Sequence, residues 1–198
     1  EMLAIAAENA TRKNITNVET QVCDVCELPF ADNSFDAISC RFGYMFFPDL
    51  LLATQEMARV LKPGGRIAVS VWGPPEKNFW VTAVGGTINQ NMQLDPPPPG
   101  APGMFRCAEP EMIQGLFKAA GLKQTGEKEV NSSLNLESTE VYWNMMTEVA
   151  APFVAALSNA DAEMKTKIKG EVFQKIEEKM GIDTVSLNGN ARVIYGVK

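Results

Sequence analysis

One helix held between two apolar runs constrains this chain more than anything else in it. Residues 35–42 read Phe-Asp-Ala-Ile-Ser-Cys-Arg-Phe, nearly continuous in apolar and small side chains. That is the pattern of a strand covered on both faces of a parallel sheet. Pro48-Asp49 then opens a stretch in which Leu51, Thr54, Ala58 and Leu61 recur at helical spacing. Lys62-Pro63-Gly64-Gly65 stops it, because proline cannot continue a helix and glycine takes the left-handed conformation that closes one. A second apolar run, residues 66–72, follows at once and ends at Trp72. Strands separated by a helix pair in parallel through right-handed crossovers, so an open α/β sheet is expected.

The flanks extend the pattern. Met2, Leu3, Ile5, Ala6 and Ala10 make a helical stripe that Asn14 or Asn17 would end. Residues 18–25 are expected to be a strand, with Val18, Thr20 and Val22 on one face, and residues 27–33 a loop around Pro29 and Asp32-Asn33. Beyond Trp72 the spacing predicts a loop over 73–79, a helix over 79–92 and a rigid proline-rich connection over 95–103. A helix over 109–120 closed by Gly121, a strand within 122–135, helices over 138–158 and 161–180, and a last strand over 191–197 complete the reading.

Composition narrows function. The formal charge of −6 argues against a nucleic-acid backbone as the main partner, which would need a basic face. No run approaches the roughly 18 to 20 apolar residues of a membrane span, and no secretory pattern opens the chain, so a cytoplasmic setting is expected. The sequon matches at Asn9, Asn14 and Asn131 are then chance. Cys23 and Cys26 form a C-x-x-C, but within an expected strand and in a chain without histidine. They read as structural thiols, and no metal site is expected.

In open parallel sheets ligands bind beyond the carboxyl ends of the strands. Asp24 stands at one such end and has two readings: acceptor for an exocyclic amine such as that of adenine, or opener of a turn. Cys40-Arg41-Phe42-Gly43-Tyr44 stands at the next, where small Cys40 and Gly43 permit close approach of a ligand and Arg41 could hold a carboxylate. Trp72 ends the following strand at the same rim, as a pocket wall or as packing.

Taken in order, Asp24, Leu28-Pro29-Phe30, Phe35-Asp36, the stretch 41–47 and Leu-Lys-Pro-Gly-Gly at 61–65 resemble the core of the class I S-adenosylmethionine-dependent methyltransferases, in the group of the ubiquinone and menaquinone biosynthesis enzymes. The resemblance implies a Rossmann-like sheet with a helical cap insertion and a last strand antiparallel to the rest. It also implies S-adenosylmethionine as cofactor, with Asp24 on the adenine amine, Val25 and Cys26 giving main-chain contacts to the ring, and Cys40 and Arg41 bordering the methionine part. The acceptor, a small molecule, would be methylated by in-line displacement in a pocket formed by Tyr44, Trp72, Phe79, Trp80, Met104, Phe105, Tyr142 and Trp143. No catalytic base is assigned.

The expected division is a partial cofactor-binding core (1–72), a cap insertion (73–108), a core helix and strand (109–135), cap helices (136–186) and a final core strand (187–198). The first strands and the glycine-rich loop of such a core are not in the sequence, so an N-terminally truncated chain is expected. Its exposed sheet edges would allow a homo-oligomer. The alternatives are a non-catalytic, self-associating α/β module and, more remotely, a fragment of a nicotinamide-dependent dehydrogenase.

Overall fold

The computed structural model describes residues 1–180 and 185–198. In chain order the elements are α1 (Met2–Arg12), β1 (Phe35–Arg41), α2 (Leu50–Val60), β2 (Leu61–Trp72), α3 (Phe79–Met92), α4 (Met112–Ala119), β3 (Lys123–Leu136), α5 (Thr139–Val149), α6 (Ala151–Ser158), α7 (Ala162–Met180) and β4 (Val185–Val197). The strands form one sheet in the order β1-β2-β4-β3. β1 and β2 are parallel, and β4 runs antiparallel to both β2 and β3. It follows that β1, β2 and β3 carry their carboxyl ends to one rim.

Local chemistry sets the crossover. The Asp49 carboxylate caps α2 by accepting from the Leu52 N–H at 2.9 Å, which satisfies an otherwise orphaned helix donor. α2 ends at Val60, one turn-free step before β2. Pro63-Gly64-Gly65 is absorbed as an irregularity in the ladder, between the pairs Phe35↔Leu61 and Ala37↔Arg66. Gly64 takes a φ of +80° there, and its N–H donates to the Lys198 carbonyl at 2.9 Å. The turn thus ties the start of β2 to the chain end.

Two cores result. α2 and α4 cover one sheet face, where Tyr44, Met57, Leu61, Ile67, Val69, Phe117 and Ile194 are buried together. The second core lies among the cap helices: Val84 and Ile88 of α3, Tyr142 and Met146 of α5, and Ile168, Val172 and Ile176 of α7. The last three recur every four residues, the helical period that puts them on one face. Val185 and Leu187 of β4 belong to this second core. They reach it because β3 and β4 pair over their whole length, from Lys123↔Val197 to Leu136↔Val185, while β2 stops pairing at Trp72↔Ala191. A two-stranded ribbon therefore projects past the rim, its β4 strand buried against the cap at Val185 and Leu187 and its β3 strand exposed from Asn131 to Asn135.

Four expectations need correction. Residues 18–25 form no strand: apart from an isolated bridge between Asp24 and Glu27 the segment is irregular. Val18 and Val22 are exposed, because no strand lies alongside to take up a ladder among the described residues. β1 is not covered on both faces. It is the sheet edge, with Asp36, Ala37, Ser39 and Arg41 exposed. The helix expected over 138–158 is broken at Ala150, where Pro152 occupies the first turn of α6 and cannot supply the N–H that would continue α5. The last strand starts at Val185 rather than 191, held by β3 rather than by its own modest apolar content. The part of this stretch at residues 181–184 lies outside the described residues. No helix among the described residues is long and apolar enough to cross a membrane.

Candidate functional site at the carboxyl rim of the sheet

The chain enters the rim through a turn. Asp24 Oδ1 accepts from the Cys26 N–H at 2.8 Å, and the Glu27 N–H donates to the Asp24 carbonyl at 3.1 Å. Aspartate favours this local bond over extended structure. The loop that follows is pinned to α2 by Arg59, whose guanidinium donates to the Leu28 and Phe30 carbonyls and to Glu56 and Asp32 at 2.8–2.9 Å. Glu56 also accepts from the Leu28 N–H at 2.9 Å. The hydrogen bonds from Arg59 hold the Glu56 carboxyl below the usual carboxylate range.

At the end of β1 the backbone turns sharply. Phe42 adopts a φ of +54°, a conformation costly for a bulky side chain. Its ring is stacked on Trp72 at 4.3 Å between centroids, and Trp72 in turn meets Trp80 edge to face at 5.2 Å. Aromatic contacts of this kind are worth about 0.5–1.5 kcal/mol beyond area burial, which offsets part of the backbone strain. Gly43 follows in contact with Cys40, since a Cβ on it would lie 3.1 Å from the Cys40 Sγ. Burial pushes the Cys40 thiol up in pKa, against the opposing pull of the Gly43 and Tyr44 N–H groups.

The β2–α3 junction is held by two buried amides. Asn78 Nδ2 donates to the carbonyls of Gly73, Pro74 and Asn190 at 3.1–3.2 Å. Its Oδ1 accepts from the Asn190 N–H at 3.0 Å and from the Trp80 indole at 3.3 Å. Asn190 Nδ2 passes the network on to Glu129 and Asn131, each at 2.7 Å. Trp72 and Trp80 are thereby fixed relative to each other and to β4.

Between these tryptophans, the ribbon and α5 lies a cavity of about 480 Å³, within the roughly 300–1,000 Å³ usual for small-molecule sites. Its walls are Trp72 and Trp80, Met104, Met145 and Met146 of α5, and Leu134 and Leu187 of the ribbon; Ser132, Ser133 and Gly189 form its polar margin, with Ala150 at the α5–α6 break. The methionines give a deformable apolar lining.

Of the residues expected from sequence, Trp72, Trp80 and Met104 line this cavity. Tyr44 does not: it is fully buried in the first core, its hydroxyl against Thr54 at 2.5 Å, and its phenol is pushed up to about 12, chiefly by burial. Tyr142 is also fully buried, donating to the Trp80 carbonyl at 2.5 Å, with its phenol raised well above its ordinary range by the same cause. Phe79 packs against the second core beneath the Lys179 ammonium, and Trp143 lines a separate depression beside Lys165 and Lys169. Phe105 lies outside the cavity wall. Asp24 and Arg41 are exposed, whereas Val25 and Cys40 pack against the first core.

Sequence reasoning missed Ser132 to Leu134, Leu187 and Gly189, and it missed Asn78 and Asn190. The ribbon positions are on strands whose extra length comes from mutual pairing, and single asparagines carry no periodic signal. Leu134 and Leu187 alternating with polar neighbours was the one available hint.

Among known proteins, the family model described as a methyltransferase domain matches residues 1–69. A demethylmenaquinone methyltransferase of Listeria monocytogenes serotype 4a is 40% identical over 79 residues, covering 40% of this chain and 33% of the relative. One from Thermus thermophilus is 33% identical over 131 residues, covering 61% of this chain and 58% of the relative. The chain thus spans about a third to somewhat over half of the curated relatives it matches. A solved structure of a Haemonchus contortus phosphoethanolamine N-methyltransferase 2, in complex with phosphomonomethylethanolamine and S-adenosylhomocysteine, superposes with a TM-score of 0.54 at 19% identity. It covers 100% of this chain and 41% of that one, a likeness of fold.

Proposed function

We propose that this chain, whose residues 1–69 match the methyltransferase-domain model, is of the class I S-adenosylmethionine-dependent methyltransferase kind and serves methyl transfer from S-adenosylmethionine to a small, largely apolar acceptor. The observation that carries this reading is the apolar cavity at the carboxyl rim, walled by the tryptophan that ends β2 and the one that opens α3. In this division 1–72, 109–135 and 187–198 form the core and 73–108 and 136–186 the cap, and the cavity takes its walls from both. The relatives named for demethylmenaquinone favour an acceptor built on a flat ring, and a tryptophan-walled cavity suits one.

The residues present fit the cofactor in part. Asp24 engages one carboxylate oxygen in its own turn and has the other open to an exocyclic amine. The Cys26 N–H is already donated to Asp24, so a main-chain contact to the ring falls to Val25. Arg41, exposed and without a carboxylate partner among the described residues, would border the methionine part with Cys40. The cofactor supplies an electrophilic methyl on a sulfonium.

The protein's own contribution is alignment and exclusion of water. Holding two reactants in line is worth about 7–11 kcal/mol of barrier at best, and a dry aromatic wall suits a step in which positive charge disappears. Proton removal is not assigned to a side chain: the chain has no histidine, and the buried phenols of Tyr44 and Tyr142 hold their protons at neutral pH.

Titration calorimetry with S-adenosylmethionine tests the reading. Micromolar binding, weakened at least tenfold by Asp24→Ala, is expected. A folded protein that binds neither S-adenosylmethionine nor S-adenosylhomocysteine would refute it for this chain.

A further inference from the structure

A strap crosses the rim between the end of α3 and the first core. It carries four consecutive prolines, Pro96 to Pro99, followed by Gly100 and Pro102. Residues 93–100 are exposed throughout. From Leu94 to Pro102 the backbone makes a single hydrogen bond among the described residues, from the Ala101 N–H to the Pro98 carbonyl. A proline run of this kind is stiff, which sets the reach of the strap and not where it lands. At its far end Cys107 is buried in the first core. Met104, just before that end, lines the apolar cavity.

The strap lands on the loop between β1 and α2. The Gly103 N–H donates to the Met45 carbonyl at 3.3 Å. The Arg106 guanidinium donates to the Phe47 carbonyl and, at 3.4 Å, to the Pro48 carbonyl. Neither carbonyl has another donor among the described residues, since both precede the first turn of α2, where the Ala53 N–H donates to the Asp49 carbonyl. Arg106 has no carboxylate partner among the described residues. Its planar fork spans two adjacent carbonyls, a geometry that a lysine does not reproduce. The same loop begins at Phe42, which stacks on Trp72. Two cavity walls thus hang on one loop, Trp72 through stacking and Met104 through Gly103 and Arg106.

We infer that Arg106 is a positioning residue of the apolar cavity: it latches the strap to the β1–α2 loop and so holds Met104 in place as a wall. This deepens the reading of the cavity as the acceptor site and rests on it. Arg106 is not itself part of the cavity lining, so its effect on a ligand passes through Met104. Without the latch the strap populates undocked arrangements, and apparent affinity falls with the docked fraction.

Two readouts test the latch, and the first needs no ligand. With isotope-labelled methionine methyl groups, the Met104 signal is assigned by its loss in Met104→Leu. In Arg106→Ala that signal is expected to move toward the position of Met2, which is 84% exposed, while buried Met146 of α5 keeps its own. The second readout is binding of N-phenyl-1-naphthylamine, an uncharged probe whose emission rises on leaving water. Arg106→Ala is expected to weaken it about fivefold to tenfold, and Arg106→Lys, which keeps one bond, by less. In a Met104→Ala background the loss of Arg106 should add under about twofold, because the latch then has no wall to hold. An unmoved Met104 signal in Arg106→Ala, or losses that multiply in the double variant, would overturn the inference. A wild-type protein that fails to bind the probe while its Met104 signal still follows Arg106 would instead sink the cavity as a ligand site and leave the latch standing. Circular dichroism confirms that each variant is folded.

Discussion

Asn78→Ala gives the sharpest test of how the tryptophan walls are held. Asn78 is fully buried. Its amide is the partner of the Asn190 N–H and of the Gly73 carbonyl, while the Pro74 and Asn190 carbonyls keep other donors, from the N–H groups of Lys77 and Gly73. Removing it orphans two buried backbone groups at about 1–3 kcal/mol each. A water entering the vacated space would recover part of that, so a loss of about 2–4 kcal/mol is expected. With a urea slope of about 2 kcal/mol/M, the unfolding midpoint followed by far-UV circular dichroism should fall by about 1–2 M. Asn78→Asp separates hydrogen bonding from simple packing. Its carboxylate would face three carbonyl oxygens, so its folded-state pKa rises above the unfolded value of about 3.9. The sign follows: the variant is most stable below the unfolded pKa and loses stability as pH rises through the folded one. A midpoint drop under about 0.3 M for Asn78→Ala, together with a pH-independent Asn78→Asp, would refute the account.

Gly73→Ala should be as damaging as Asn78→Ala, because its Cβ would fall 1.8 Å from the Asn190 Oδ1. Gly86→Ala, in the interior of α3 with open space around it, should instead stabilise by about 0.5–1 kcal/mol; thermal unfolding distinguishes the two. Tyr44 ionises late: its folded pKa of about 12 against 10 gives stability that is intact below pH 10 and lost as pH rises toward 12. The 295 nm phenolate signal of Tyr44, isolated as the difference from Tyr44→Phe, should appear near pH 12 or with alkaline unfolding, not near pH 10. Arg59→Ala should raise amide hydrogen exchange at Leu28 and at Asn33, whose N–H donates to the Arg59 carbonyl in the segment Arg59 pins, with the exchange of Ile194 in the first core unchanged.

The legible parts of this fold were those in which local chemistry and periodicity agree. The Asp49 cap, the helical stripe of α2, the Pro-Gly-Gly stop and the apolar run to Trp72 each carry their own signal, and β1-α2-β2 follows from them. The strand expected over 18–25 failed because a strand is a pairing, not a pattern: Val18, Thr20 and Val22 alternate well and have nothing alongside. Trp72, Trp80 and Met104 were legible as cavity walls because they flank the rim, whereas Tyr44 and Tyr142 were not distinguishable from them. Aromatic residues fill cores and pockets alike, and only burial separates the two.

The sequence by itself determined the βαβ crossover, the antiparallel last strand through family resemblance, and the rim at which Trp72 ends β2. Only the tertiary structure decided that β3 and β4 outrun the sheet together and that Asn78 and Asn190 lock two tryptophans in place. The reason is physical: helix caps and turns are written in neighbouring residues, whereas the ribbon and the amide lock join groups as far apart as Asn78 and Asn190, 112 positions along the chain.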